Sequence, residues 1–184
     1  MADIVLFIAT SLDGYIAGPN GEIDWLETMP NPDQSDHGYG KLMELTGKIV
    51  MGSGTYKEVL GFGVDWPYPD NDTRVMSSDP DLKISTPRTF LHPASDLEHF
   101  RRLKTTEAKD IWLVGGGKLL QAFLAADLVD EMIITLIPTL LGDGIRLFPG
   151  PVPRSDWDLV DVERFASQAV GLTYRKRRTE ESKP

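Results

Sequence analysis

The chain has 184 residues, of which 41% are hydrophobic and 26% charged; this balance is typical of a globular domain and excludes an intrinsically disordered chain. It has no cysteine, which excludes disulfide bonds, thiolate catalysis and cysteine-ligated zinc. The net charge of −9 argues against nucleic-acid binding, and no apolar run reaches the roughly 18 residues of a membrane-spanning helix.

No repeat, low-complexity tract or linker divides the chain, so we expect a single domain over residues 1–178 and a frayed tail at 179–184. The basic run 175–178 is expected to be the solvated end of the last strand. The N-terminus carries Asp3 and lacks the basic region of a signal peptide, which makes the cytoplasm the default expected location.

Strand-like and helix-like segments alternate along the chain. Short apolar runs predict strands at 4–9, 48–51, 74–77, 89–91, 111–114 and 131–137, the last ended by Pro138. Apolar residues at helical spacing predict helices at 37–45, 55–60, 96–104 and 118–126, with Gly47 ending the first. Two alternating segments, 158–165 and 172–177, predict an antiparallel hairpin joined across Gly171. This order predicts an α/β protein with a mostly parallel central sheet, helices on both faces and the hairpin at one edge.

Ligands of such sheets bind beyond the carboxyl ends of the strands, where this sequence has two glycine-rich turns that open helices. The turns lie at 51–55 and 114–118. Glycine lets a phosphate approach the backbone, a helix N-terminus supplies N–H donors, and Lys118 adds a positive charge. Neither turn has the Walker or the dinucleotide-binding spacing, so close packing of helix on strand is an equal alternative.

Polar residues at strand and helix ends have both structural and functional interpretations. Ser77 and Ser78 follow a strand, where hydroxyls hold a phosphate or serve as turn residues. Asp13 favours a turn together with Gly14. Asp36 precedes a predicted helix, so it either caps that helix or is a buried carboxylate that binds a heterocycle and helps to deliver a proton.

The remaining polar and aromatic residues carry weaker signals. The three histidines, His37, His92 and His99, lack metal-ligand spacing, so no metal site is expected. Trp66 lies in the loop-like segment 61–72, where it either packs on the domain itself or forms a wall for a substrate or partner.

Taken in order, these segments resemble the dihydrofolate reductase-like fold, and most closely the reductase domain of the bifunctional riboflavin-synthesis deaminase/reductase. The matching segments fall between residues 3 and 177 and are 8–17, 23–26, 49–56, 75–78, 114–119, 128–131 and 138–144. The resemblance implies a three-layer fold and an NADPH-dependent oxidoreductase that reduces a small pterin- or pyrimidine-like heterocycle. It also implies a homodimer.

The resemblance assigns roles to individual residues. For the cofactor these are Ala9 and Ile16 beside the nicotinamide, Gly52, Ser53, Gly54, Thr55, Gly115, Gly116, Gly117 and Lys118 at the phosphates, and Ser77 and Ser78 near the adenosine 2′-phosphate. Trp25 matches a tryptophan of the mobile loop over the substrate. Asp36 and Thr135 match the pair that orients and protonates the ring. Tyr15 is a second candidate proton donor or a packing residue near the cofactor.

Departures from the family pattern bear on specificity. Ser53 replaces a basic residue that binds the 2′-phosphate in dihydrofolate reductases, which makes NADH use conceivable. Tyr15 stands where the riboflavin-type reductases have lysine, and no arginine suited to a folate tail lies upstream of Ser77. The alternatives to an enzyme are a non-catalytic nucleotide-binding or regulatory module and a structural dimer.

Overall fold

The structure is a computed structural model that describes residues 1–178. Its strands are β1 Ile4–Ser11, β2 Tyr15–Ala17, β3 Thr46–Gly52, β4 Asp72–Ser77, β5 Thr89–Pro93, β6 Asp110–Gly115, β7 Glu131–Ile137, β8 Ile145–Arg146, β9 Trp157–Arg164 and β10 Val170–Lys176. Its helices are α1 Asp24–Glu27, α2 Tyr39–Leu45, α3 Ser53–Gly61, α4 Glu98–Thr106 and α5 Gly117–Ala125. Within this part of the chain, no helix has the length and apolar character that crossing a membrane requires. The tail predicted at 179–184 lies outside the described residues.

Eight strands form one sheet in the order β5-β4-β3-β6-β1-β7-β10-β9, and β2 pairs with β8 in a separate antiparallel ribbon. The strands from β5 to β7 in this order run parallel, whereas β10 and β9 are antiparallel to their neighbours. Parallel neighbours need crossover connections; α3, α4 and α5 lie in the crossovers that follow β3, β5 and β6, whereas residues 78–88 connect β4 to β5 without a helix. The predicted α/β class, with a mostly parallel sheet and a C-terminal antiparallel hairpin, is confirmed.

Helices cover both faces of the sheet, which gives three layers. On one face α4 and α5 pack Phe100 and Leu120 around Leu6 of β1. On the other face α2 and α3 cover the sheet, and Tyr56 packs with Val5. Neighbouring residues of β1 therefore belong to opposite cores, as the alternation of side chains along a strand requires. Burial on both faces explains why the parallel strands are continuous apolar runs.

The predicted position of the hairpin turn is wrong. The chain turns at 165–169, where the N–H of Phe165 donates a hydrogen bond to the carbonyl of Ala169 at 3.0 Å. Gly171 lies inside β10 and has a packing role, because the ring of Phe165 covers it. A Cβ at Gly171 would come within 3.1 Å of Cε2 of Phe165, which is closer than ordinary contact.

The first long helix also differs from its predicted bounds. It begins at Tyr39 because His37 and Gly38 have left-handed backbone, with φ of +52° and +89°, which a right-handed helix does not contain. The predicted stop at Gly47 is wrong as well. β3 follows α2 directly, so Gly47 lies in the strand.

The basic run at 175–178 is more constrained than a solvated strand end. Each of its side chains is paired with a carboxylate: Arg175 with Glu131, Lys176 with Asp127, Arg177 with Asp158 and Arg178 with Asp130. The three guanidinium groups are still more than half exposed. Exposed pairs of this kind stabilise little individually. Together they connect the end of β10 to its neighbours.

Trp66 packs on the domain itself. Its ring lies edge-on between Tyr56 and Tyr68, with centroid distances of 5.6 and 5.1 Å. Tyr68 is buried and continues the aromatic cluster to Trp112, 5.4 Å away. The segment 61–72 is therefore anchored by aromatic side chains over the face that α2 and α3 cover.

Candidate functional site

A cavity of about 710 Å³ opens at the carboxyl end of the parallel sheet, between the first turns of α3 and α5. It brings together ten of the twelve predicted cofactor-binding residues: Ile16, Gly52, Ser53, Gly54, Thr55, Ser77, Ser78, Gly116, Gly117 and Lys118. Ala9 lines a second, smaller cavity, and Gly115 lines neither cavity. The two glycine turns meet because β3 and β6, which precede them, are neighbours in the sheet.

Both turns lead directly into helix N-termini. The cap residues are Gly52 for α3 and Gly116 for α5, and neither helix start has a side-chain capping hydrogen bond. The first N–H groups of a helix have no acceptor within the helix, and they carry a partial positive charge. Residues at the start of both helices line the same cavity, and this arrangement suits a diphosphate.

The glycines have two different purposes. A Cβ at Gly54 would meet no atom within 4 Å, and a Cβ at Gly52 would meet only the carbonyl oxygen of Gly115, 3.9 Å away. A Cβ at Gly117 would press on the segment after β8 and would lie 2.9 Å from Cδ of Pro149. Gly52 and Gly54 therefore keep the backbone accessible, whereas Gly117 allows close packing of α5.

A hydrogen bond joins the two turns. The N–H of Gly116 donates to Oγ1 of Thr55 at 3.2 Å. The preceding residue, Gly115, has a φ of +121°, a conformation that favours glycine, and its backbone approaches the side chain of Ile8. The spacing of the turns is thus set by contacts within the protein.

The polar groups of the larger cavity are few. Within residues 1–178, Lys118 is the only lysine or arginine that lines it, and Glu58 is the only carboxylate. Ser77 is buried, and its Oγ accepts a hydrogen bond from the N–H of Asp79 at 3.0 Å, whereas Ser78 is exposed. An anionic ligand would therefore meet helix N–H groups, hydroxyls and one ammonium group, and it would also meet the carboxylate of Glu58.

A second cavity, of about 400 Å³, lies against β1 and β7. It is lined by Phe7, Ala9, Leu26, Glu27, Met29, Asn31, His37, Thr135 and Ile137. Ile8 borders the larger cavity while Phe7 and Ala9 border the smaller one, so β1 contributes to both. Thr135 is the register partner of Ala9 and is buried. Its hydroxyl forms no hydrogen bond with another residue of the described range 1–178.

Asp36 is not the buried carboxylate that one interpretation expected. Its side chain is exposed and accepts hydrogen bonds from the N–H groups of Gly40 at 2.8 Å and Gly38 at 2.9 Å. These two bonds, that from Gly40 first, lower the pKa of Asp36. The capping interpretation holds in part: Gly38, not Asp36, is the N-cap residue of α2, but the left-handed turn at 37–38 presents the N–H of Gly40 in the first turn of α2 to the Asp36 carboxylate. Asp36 does not line the cavity that contains Thr135.

His37 lines the smaller cavity instead. Its Nε2 lies 2.9 Å from Oγ of the buried Ser167, and its ring packs against Phe165 with a centroid distance of 4.7 Å. From the sequence, the only functional role that we weighed for His37 was that of a metal ligand. A His-Gly pair before a helix is compatible with left-handed backbone, but no local signal indicates a contact with a residue 130 positions away.

Tyr15 and Trp25 line neither cavity. Tyr15 is buried in β2, and the guanidinium of Arg146 lies 4.8 Å from its ring centroid, which favours the packing role over proton donation. Trp25 is buried with Ile137 and Phe165. Its Nε1 has no hydrogen-bond partner among residues 1–178, and its contact with a substrate stays a prediction.

Asp13 has a role beyond the predicted turn. Its carboxylate accepts hydrogen bonds from Oγ of Ser11 at 2.6 Å, the N–H of Gly142 at 2.7 Å and the N–H of Leu141 at 3.2 Å. These bonds, that from Ser11 first, lower the pKa of Asp13 to about 2. Asp13 thus connects the β1–β2 turn to the loop after β7, and the β2–β8 pairing connects the same regions again.

The other two histidines lie outside both cavities. His92 and His99 stack with a centroid distance of 4.5 Å on β5 and α4. Burial, then the neighbouring charges of His92 and Arg74, lower the pKa of His99. Within residues 1–178, no group of three or more histidines and carboxylates is placed to hold a metal ion.

Residues 2–170 match the RibD C-terminal domain family. YwjB, an uncharacterized protein of Bacillus subtilis (strain 168), is 35% identical over 170 residues, which are 92% of this chain and 95% of YwjB. A candidate riboflavin biosynthesis protein of Shewanella sp. PV-4 has a structure with a TM-score of 0.84 and 36% identity, covering 97% of this chain and 100% of that one. Dihydrofolate reductase of Enterococcus faecalis, complexed with NADP(H), shares the fold at a TM-score of 0.69 and 18% identity, covering 96% and 97%. This chain therefore belongs to the RibD C-terminal domain family and has the dihydrofolate reductase-like fold.

Proposed function

We propose that this protein is an NADPH-dependent reductase that transfers hydride to a small pterin- or pyrimidine-like heterocycle. The observation that carries the proposal is the larger cavity. Two uncapped helix N-termini border it, and glycines at the start of α3 leave the backbone there accessible to a ligand. Such a site suits the diphosphate of a dinucleotide. The family membership and the NADP(H) complex of the E. faecalis enzyme with the same fold support the choice of cofactor.

The residues present fit this cofactor. The first turns of α3 and α5, with Lys118, would hold the diphosphate, and Ser77 and Ser78 would lie near the adenosine 2′-phosphate. Ile16 in the larger cavity and Ala9 in the smaller one would border the nicotinamide. When bound, NADPH supplies the hydride, and the protein supplies orientation and electrostatic environment. The smaller cavity would receive the heterocycle.

The preference for NADPH over NADH is proposed to be modest. Ser53 lines the cavity at the start of α3, where dihydrofolate reductases have a basic residue. Hydroxyl groups and Lys118 would then be the donors to a 2′-phosphate. A neutral hydroxyl forms a weaker hydrogen bond to an anion than a charged donor does. We therefore expect NADH to bind as well, but less tightly.

Thermal unfolding with NADPH, with NADH and without a nucleotide tests the proposal. A ligand at one hundred times its dissociation constant stabilises a protein by about 2.7 kcal/mol. For a chain of this size that is a rise in Tm of roughly 5–10 °C. We expect the full rise with NADPH and a smaller one with NADH at equal concentration. No rise with either nucleotide would contradict the cofactor site, and a rise without reduction of any pterin or pyrimidine would favour the non-catalytic module.

We also propose that the protein is a homodimer that pairs through β9. This strand is at the edge of the sheet and bonds only to β10 within the described range 1–178. A register shift at Val160 brings Leu159 and Val162 opposite Tyr174 and Leu172, and the three aliphatic residues of β9 are all more than half exposed. An exposed apolar edge strand is a template for pairing with another chain. Light scattering after size-exclusion chromatography should give a dimer for the wild type and a monomer for Val162→Lys; a monomeric wild type would contradict the pairing.

A further inference from the structure

The smaller cavity contains one imidazole, and tertiary contacts hold it in place. His37 has left-handed backbone with a φ of +52°, which few residues other than glycine adopt. Its ring contacts Phe165, and its Nε2 lies 2.9 Å from Oγ of Ser167; both partners belong to the turn between β9 and β10. The C-terminal hairpin therefore orients a side chain that lines a cavity formed by the N-terminal part of the chain together with β7.

The His37–Ser167 pair is suited to exchange a hydrogen bond with a ligand. A serine hydroxyl both donates and accepts, so Ser167 can accept from an Nε2–H or donate to an unprotonated Nε2. The second ring nitrogen, Nδ1, is correspondingly an acceptor or a donor. An imidazolium N–H is also a proton donor of the kind that general acid catalysis uses most often.

The other polar groups in and beside this cavity differ in how far they are buried. Thr135 is buried and its hydroxyl is uncommitted within residues 1–178, so it can donate to a ligand. The carboxylate of Glu27, on the rim, is exposed, and the carboxylate of Asp36 is exposed and occupied with Gly38 and Gly40. The polar groups left to face a ligand are therefore the half-buried imidazole of His37 and the buried hydroxyl of Thr135.

We propose that His37, positioned by Ser167, binds the heterocycle and donates the proton that accompanies hydride transfer, in the role that the sequence had suggested for Asp36. This inference rests on the proposed reductase function. The substrate's C=N or C=O bond is reduced: its carbon receives the hydride that NADPH supplies, and its nitrogen or oxygen receives the proton of the His37 imidazolium. NADPH is oxidised to NADP⁺, and the neutral imidazole regains a proton from solvent.

Two ring probes of the same shape can distinguish an imidazole from a carboxylate as the group that binds the substrate ring. Pteridine-2,4-dione presents carbonyl acceptors, which match N–H and O–H donors from His37 and Thr135. Pteridine-2,4-diamine presents amino groups and, when protonated, a ring N–H, which match a buried carboxylate. Titration calorimetry of the protein loaded with NADP⁺ should give at least tenfold tighter binding for the dione.

His37→Asn is the decisive variant, because asparagine tolerates left-handed backbone and so removes the imidazole without straining the turn. We expect its affinity for the dione to fall at least tenfold while the NADPH-induced rise in Tm is unchanged. Asp36→Asn is the matched control at the adjacent position, and its affinity for the dione should stay within twofold of the wild type.

Ser167→Ala tests the positioning role separately. The side-chain ¹⁵N shifts of His37 should move toward a different mixture of tautomers, and the affinity for the dione should fall while NADPH binding is retained. A purely structural role for Ser167 would lower Tm without changing these shifts, and that result would overturn its part in the proposal.

The remaining outcomes separate this inference from the proposed function. Unchanged affinity of His37→Asn for the dione, tighter binding of the diamine, or no binding of either ring to the NADP⁺-loaded protein would overturn the role of His37. In each of these cases an intact rise in Tm with NADPH would leave the cofactor site standing. Absence of that rise in the wild type would contradict the reductase function itself.

Discussion

The two cavities are lined by different parts of the chain. The larger one presents backbone N–H groups at two helix starts, accessible beside Gly52 and Gly54, with Lys118 as its one cation among residues 1–178. The smaller one presents side chains, with His37 and Thr135 among apolar walls. Backbone donors bind any suitably shaped phosphate group, whereas side chains select individual rings. Under the proposed function, the first cavity would determine the class of cofactor and the second would determine the substrate.

The largest expected effect comes from filling the accessible backbone of the larger cavity. Gly54→Val places a side chain where a Cβ meets no atom within 4 Å, so the fold has room for it. Valine is at least as good a helix former as glycine, and stability without ligand should change by less than about 1 kcal/mol. We expect the NADPH-induced rise in Tm to disappear, since the valine would occupy the place of the phosphates. A rise of wild-type size would remove the α3 turn from the cofactor site.

The second expected effect is a loss of stability at Gly117, a glycine of the same cavity that allows close packing of α5. Gly117→Ala forces a Cβ against the segment that contains Pro149, and overpacking of this kind costs about 1–3 kcal/mol. Denaturant unfolding without ligand should show the loss, which corresponds to a fall in Tm of roughly 2–4 °C per kcal/mol. Unchanged stability would mean that the segment after β8 moves freely away from α5.

A smaller effect is expected at the edge of the second cavity. Asp36→Asn should slightly lower stability at neutral pH, because the carboxylate that accepts the N–H groups of Gly40 and Gly38 is lost. The pKa of Asp36 is lowered in the folded state, so its contribution is present above pH 3.8 and disappears as the pH falls through the folded-state pKa. Wild type and variant should therefore converge in strong acid. A difference that persists below pH 2 would contradict the capping role.

The smallest expected effect is on the pH dependence of stability, and it comes from His99, which lies outside both cavities. The pKa of His99 is lowered, first by burial, so the folded state favours the neutral ring. Its contribution is fully present above pH 6.5 and decreases as the pH falls toward the folded-state pKa. His99→Phe should flatten the decrease in unfolding free energy between pH 7 and pH 5, without changing NADPH binding. An unaltered pH profile would show that His99 is hydrated in the native protein.

Local patterns were sufficient to predict most of the fold and most of the lining of the larger cavity. Burial on both faces makes parallel strands continuous apolar runs, so β1, β3, β6 and β7 could be predicted from such runs in the sequence. The glycine turns after β3 and β6 combine strand, glycine and helix start within a few residues. Parallel strands align their carboxyl ends, so the meeting of these turns follows from the sheet itself. The larger cavity was therefore predictable almost residue by residue.

The smaller cavity was not predictable in the same way, because its key contacts join distant parts of the chain. The sequence placed Asp36 just before a helix predicted to begin at His37, and it indicated a substrate role for Asp36 but none for His37. The left-handed turn at 37–38 directs the carboxylate to the start of α2, while a hydrogen bond to Ser167 holds the imidazole at the cavity. Local chemistry thus defined which residue types were available, and only the packing of the β9–β10 turn against this region decided which side chain lines the cavity.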